Sequence, residues 1–146
     1  MIPNCKQNTQ NAITATMSDN QSITTTSTWQ VVKVNLDTIT SSDKLSLLGN
    51  AVKIGKGVSK ILVSANTSFV EQTSGLVNIS FLKNSTTTGK TVQGMSDQSR
   101  LNISAPPQLI DVTEGDLIYM CLSFGNTQTG KTVSSSSTFM TVQVID

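Results

Sequence analysis

Apolar and polar residues alternate with a period of two through most of this chain. Residues 56–84 show it most clearly, as two runs on either side of the polar turn Glu71-Gln72-Thr73-Ser74-Gly75. Ile61, Val63, Ala65 and Phe69 share one face of the first run, and Val77, Ile79 and Phe81 the matching face of the second. Ser64, Asn66, Asn78 and Ser80 point the other way. This pattern predicts a β-hairpin with one face in a core and one in water.

Residues 29–36 predict another strand, with Val32, Val34 and Leu36 set against Gln30, Lys33 and Asn35. Leu45, Leu47, Val52 and Ile54 mark two short strands parted by Gly49-Asn50, a dipeptide suited to a tight turn. Pro106-Pro107 imposes an extended bend. In Thr113-Glu114-Gly115-Asp116 the glycine can take the positive φ of a turn. Residues 117–124 are apolar on both faces and are expected to be buried on both. Two long polar passages, 85–100 and 125–137, read as exposed loops, the first with at most one short strand, and such segments most often carry function.

About nine or ten short strands with no amphipathic helix predict an all-β, antiparallel two-sheet sandwich of the jelly-roll kind. The closing strand, 139–145, is apolar enough to lie inside a sheet. One head domain over 12–146 would follow a polar leader or stalk end, 1–11.

Composition narrows function mainly by exclusion. The 146 residues fit one domain, and the net charge of +1 comes from scattered Lys and Arg that form no stripe, so neither a nucleic-acid groove nor an anionic membrane surface is expected. Abundant Ser, Thr, Asn and Gln suit strands and turns, as in extracellular β proteins. Histidine is absent, which removes the usual general base and the usual neutral metal ligand. No cofactor is expected. Asp111, Glu114 and Asp116 flank one turn and make a weak calcium candidate beside the ordinary reading of a solvated turn. Carboxylate pairs with glycosidase spacing are not evident, so an enzyme such as a polysaccharide depolymerase is disfavoured.

Residues 125–132, Gly-Asn-Thr-Gln-Thr-Gly-Lys-Thr, match the phosphate-loop pattern letter for letter. That motif needs a helix directly after it to hold phosphate, whereas here the chain runs into a strand. Cys5 and Cys121 are far apart in sequence and differ in setting, which leaves a disulfide possible but unsupported. Trp29 and Tyr119 could offer a platform to a sugar ring, although capping the sandwich and packing in a subunit contact are the ordinary roles.

Several short motifs fall in an order that resembles the jelly-roll heads of the complement component one-q and tumour necrosis factor superfamily, above all those at the tips of bacteriophage tail fibres and bacterial surface fibres. They are Gln21-Ser22-Ile23 before Trp29-Gln-Val-Val-Lys-Val34, Lys56-Gly57-Val58 before Val63-Ser64-Ala65, Val77 through Lys83-Asn84, and Leu109-Ile-Asp-Val-Thr-Glu-Gly115-Asp116 before Leu117-Ile-Tyr-Met-Cys-Leu122. The resemblance covers about residues 20–146. It implies a jelly roll of about ten strands, trimeric about a threefold axis, with no catalytic residues.

The residues add an independent reason to expect assembly. Leu62 stands beside Ile61 and Val63, Leu109 beside Ile110, and Tyr119 beside Ile118 and Met120, so these strands are apolar on both faces and need a partner surface. Leu62, Leu109 and Tyr119 are therefore the expected interface residues of a homotrimer. The expected function is a non-enzymatic binding head of a phage fibre, on a virion surface or otherwise extracellular, that recognises a cell-surface glycan or protein. Thr87, Lys90, Gln93, Asn126, Gln128 and Lys131, in the two polar passages, are the candidate ligand contacts. The alternative is a structural virion component, a capsid decoration or baseplate protein that binds other phage proteins.

Overall fold

The computed structural model describes residues 11–23, 28–37, 43–70, 75–96, 102–124 and 131–145. Within them the chain forms β1 (Ala12–Thr16), β2 (Gln21–Ile23), β3 (Gln30–Val31), β4 (Leu36–Asp37), β5 (Leu45–Leu48), β6 (Ala51–Ile54), β7 (Lys60–Ser68), β8 (Gly75–Lys83), β9 (Thr86–Ser96), β10 (Asn102–Asp111), β11 (Leu117–Phe124), β12 (Lys131–Val133) and β13 (Phe139–Val144). One sheet runs β10-β7-β13-β1-β4. The other runs β5-β6-β11-β8-β9, with β3 added beside β11. A two-stranded ribbon, β12-β2, forms a third, small sheet joined to the end of β7 by the Phe69↔Val133 bridge. All pairings are antiparallel, and no helix among the described residues is long and apolar enough to cross a membrane.

The inner faces of the two sheets meet in a single apolar core. Ile13, Ala15, Ile61, Val63, Met140 and Val142 come from the first sheet, and Val52, Ile54, Ile79, Phe81, Ile118, Met120 and Leu122 from the second. Each is an alternate residue of its strand, so the period-two pattern locates the core directly. As expected, the closing strand β13 lies inside a sheet, between β7 and β1. β11 is also interior, and its outward residues Cys121 and Ser123 are buried with its inward ones.

Three expectations need correction. Residues 56–84 do not form a hairpin: β7 pairs with β10 and β13, and β8 with β11 and β9, so the chain passes from one sheet to the other between them. Alternation fixes which face is buried and is silent about which strand supplies the hydrogen bonds. The hairpins that do form among neighbouring strands are β5-β6, turning at Gly49-Asn50 as expected, and β8-β9, turning at Asn84 and Ser85.

The second correction concerns residues 85–100, expected to be a loop with at most one short strand. Thr86–Ser96 is strand β9, at the sheet edge. An edge strand needs no continuous apolar stripe, and β-branched Thr suits it. Gly89 lies in the stretch between Thr88 and Val92 where the register with β8 shifts, so it belongs to an irregular strand.

The third is the single strand expected over 29–36. The chain pairs with β11 through β3, makes a tight backbone turn with Val34 N–H donating to Val32 C=O (2.9 Å), and reaches β1 through β4. Val32 and Val34 stay buried, so the alternation survives while the strand changes sheets.

Backbone geometry requires glycine at several turns, of which two matter most to the framework. Gly115 has φ +89° in the turn before β11, as expected. At Gly55, a Cβ would run into the Asp43 carbonyl oxygen where the turn after β6 crosses residues 43–44. Pro106-Pro107 falls at a β-bulge in β10, where the edge strand tolerates missing donors.

Two buried hydroxyls among the described residues, Thr67 Oγ1 and Ser80 Oγ, lack a hydrogen-bond partner, and the first works against the core. Thr67 Oγ1 has no hydrogen-bond partner although the residue is fully buried. Burying a hydroxyl without a partner costs ~1–3 kcal/mol. Thr67→Val keeps the shape and removes the stranded hydroxyl, so urea denaturation is expected to show a gain of ~1 kcal/mol with an unchanged m-value.

Candidate assembly face and binding surface

The outer face of the β10-β7-β13-β1 sheet has an uncharged centre. Leu62 on β7 lies directly between Leu109 on β10 and Gln143 on β13. The next row pairs Ser64 with Thr141, whose hydroxyl shares a 3.1 Å hydrogen bond with Thr14 of β1. Beyond it, Asn66 Oδ1 accepts from Ser104 Oγ at 2.7 Å. Lys60 and Asp111, 3.6 Å apart, are confined to one end.

Leu109 is 60% exposed, and Phe139 and Ile145 add further apolar surface on the same sheet. Leu62 is half-buried beside Leu109. Tyr119 falls elsewhere, opposite Leu82 on the outer face of the other sheet. The three residues expected to share an interface therefore occupy two surfaces, with Leu62 and Leu109 together and Tyr119 on the far side of the sandwich. Period-two reading marks two-sided strands and cannot say which sheet a strand joins.

The candidate ligand contacts are also distributed. Thr87, Lys90 and Gln93 belong to the edge strand β9, with Thr87 opposite Leu82 and Gln93 opposite Asn78. Asn126 and Gln128 lie outside the described residues, as do Cys5 and positions 1–10. Lys131 begins β12 and is only 3% exposed. Its ammonium sits 5.5 Å from the centre of the Phe69 ring, a cation–π contact, and that ring packs at 58° against Phe124. The segment after the phosphate-loop look-alike is strand, as expected, with no helix to receive a phosphate.

The turn considered for calcium is closed by its own hydrogen bonds. Asp116 Oδ2 accepts from the Thr113 backbone N–H (2.9 Å), and Oδ1 accepts from Asn84 Nδ2 (3.0 Å). Asn84, at φ +58°, also accepts the Leu117 N–H through Oδ1 (3.0 Å), so two turns are tied together. The Thr113 bond, and after it the Asn84 bond, hold the Asp116 carboxyl below the usual carboxylate range. A pKa lowered by folding stabilises the protein above the unfolded value, and the gain is lost as pH falls through the folded one. Asp116→Asn is therefore expected to flatten the decline of Tm below about pH 4, measured by calorimetry across an acid series.

Cys121 is fully buried beside Ser80, and its Sγ donates to the Ser80 carbonyl at 3.2 Å. Burial pushes the thiol up to about 12, so it stays protonated and unreactive at neutral pH.

A polar cleft of about 570 Å3 opens between the β1-β2 turn, β2 and residues 30–35. Gln21 spans it, donating from Nε2 to Val31 C=O (3.0 Å) and accepting from Lys33 N–H through Oε1 (2.8 Å). Asn35 Oδ1 accepts from Ser18 N–H, and Asn20 Oδ1 from Ser135 N–H. Sequence reading passed over this cleft because the motifs that contain Gln21, Ser22, Gln30 and Lys33 mark strands, and only the change of sheet within 30–37 sets those side chains around a common space.

The strand order and the sheet-to-sheet crossings define a tumour-necrosis-factor-like jelly roll. The architecture is similar to murine APRIL at pH 5.0 (TM-score 0.62, 13% identity, covering 93% of this chain and 99% of that one). It is similar also to the PRD1 vertex protein P5 (0.63, 11%, 92% and 95%) and to Eiger TNF from S. frugiperda (0.60, 11%, 94% and 93%). No family model and no curated protein matches the sequence. At these identities the likeness establishes the fold, which is the one the ordered motifs implied.

Proposed function

We propose that this chain is the homotrimeric, non-enzymatic head of a phage fibre, displayed on the virion surface, where it recognises a cell-surface glycan or protein. The observation that carries the reading is the outer face that holds Leu62 and Leu109, whose only charges among the described residues of β10, β7, β13 and β1 are the paired Lys60 and Asp111 at one end, since depletion of charge with exposed apolar side chains characterises a surface that meets another protein. A jelly roll that joins through this sheet leaves its edge strand β9 and the ribbon β12-β2 free to contact a ligand. In this reading Thr87, Lys90 and Gln93, with Asn126 and Gln128, supply polar contacts, while Lys131 braces the base of its segment against Phe69. Repetition in three copies compensates for weak individual sites.

The test pairs sedimentation with binding. The intact chain should sediment as a trimer and bind a glycan array or host cells, and variants trimmed within 86–96 and 125–130 should lose that binding. Binding that survives both changes removes the ligand assignment.

A second reading, a structural virion component that contacts other particle proteins, is favoured by the likeness to a vertex protein. Cryo-microscopy of the particle separates the two by location, at a fibre tip or within the shell.

A further inference from the structure

The cleft beside the β1-β2 turn is used neither by the apolar sheet face nor by β9. We infer that it is a binding subsite for a neutral saccharide, an inference that rests on reading the chain as a binding head and gives that head a contact surface outside the two polar passages.

Three observations carry it. First, the size suits a sugar unit or two, and every lining residue is polar or charged, so the cleft offers little to an acyl chain. Second, the framework is fixed in advance. Gln21 uses both ends of its amide to hold β2 against residues 31–33, Asn35 holds the β1-β2 turn, and Asn20 holds residue 135. Pre-set walls lower the ordering cost of binding.

Third, the groups left over match hydroxyls. Among the described residues the Lys33 ammonium, the Gln30 amide and the Ser22 hydroxyl have no hydrogen-bond partner, and Asp19 spends one carboxylate oxygen on Ser18 Oγ (3.1 Å). A carboxylate, an amide and an ammonium can accept from and donate to neighbouring hydroxyls of one ring. Asp19 and Lys33 carry opposite charges, so the cleft has no net charge to recruit a phosphate, sulfate or sialic acid, and a neutral ligand is selected.

The experiment is a titration of the intact, 15N-labelled chain with galactose, mannose and N-acetylglucosamine in turn, and with inorganic phosphate as the anionic comparison. At least one sugar is expected to shift amides within 18–22 and 30–35 and to saturate in the millimolar range. An Asp19→Ala/Lys33→Ala double variant should weaken that sugar about tenfold with the remaining spectrum unchanged. Failure of all three sugars to shift the cleft amides, shifts confined to 86–96 or to 131–133, or a larger response to phosphate each overturns the subsite. Cell binding separates this failure from that of the head reading. A parent and double variant that bind host cells equally well remove the cleft alone, whereas a parent that binds neither cells nor any glycan on an array removes both.

Discussion

If the chain assembles as the proposed trimer, Leu109→Asp is expected to convert it to monomers while leaving the jelly roll folded. Leu109 is 60% exposed in the single chain, so substitution there costs the isolated fold only about 0.5 kcal/mol. In the assembly the new carboxylate would be buried opposite apolar surface without a partner, at a cost of ~3 kcal/mol or more at each contact. That corresponds to a loss of more than about a hundredfold in association for each of the interfaces. Sedimentation velocity reads the species and far-ultraviolet circular dichroism the fold. A variant that still sediments as a trimer places assembly elsewhere, and Tyr119, on the opposite surface beside Leu82, then becomes the position to change.

The second large effect concerns the core. Phe81→Ala removes a fully buried ring from the inner face of β8, where it stands opposite Met120 of β11 and Thr88 of β9. Close packing prevents the two sheets from collapsing into the space, so the loss combines transfer energy with a cavity, ~3–5 kcal/mol. For a domain with ~5–15 kcal/mol of stability that is a substantial fraction. Urea denaturation should show the midpoint falling steeply with unchanged m-value, and binding by the surviving folded fraction should be retained. A loss below about 1 kcal/mol would mean that the neighbouring side chains repack.

How much of this was legible in the sequence differs by level. Faces were readable, because Ile61, Val63, Val77, Ile79 and Phe81 are buried by the same alternation that marks them in the text. Turns with a steric requirement were readable too, as at Gly49 and Gly115, which both take positive φ. Partners were not. The β7-β8 pair reads as a hairpin because nothing local distinguishes a turn that returns to the same sheet from one that crosses the sandwich.

Edge strand β9 was hidden for a related reason: its single-sided pairing relaxes the demand for an apolar stripe, so Thr86-Thr87-Thr88-Gly89 looks like loop. The polar cleft was hidden most completely. Gln21, Gln30, Lys33 and Asn35 are ordinary surface residues in the text, and only the passage of residues 30–37 from one sheet to the other sets them around a common space. The ordered motifs succeeded where single motifs could not, because strand order is a property of the whole chain.

The central place of β13, between β7 and β1, has a bearing on biogenesis. Until residues 139–144 have emerged from the ribosome, β1 and β7 each lack a neighbour, and two rows of unpaired amides and carbonyls stay open to any nascent copy nearby. Docking of this strand shuts both edges at once and joins it to β1, more than a hundred residues earlier in translation order, which is the slow kind of step in folding. Chains stalled before that point are the ones a cell would find aggregated or held by chaperones.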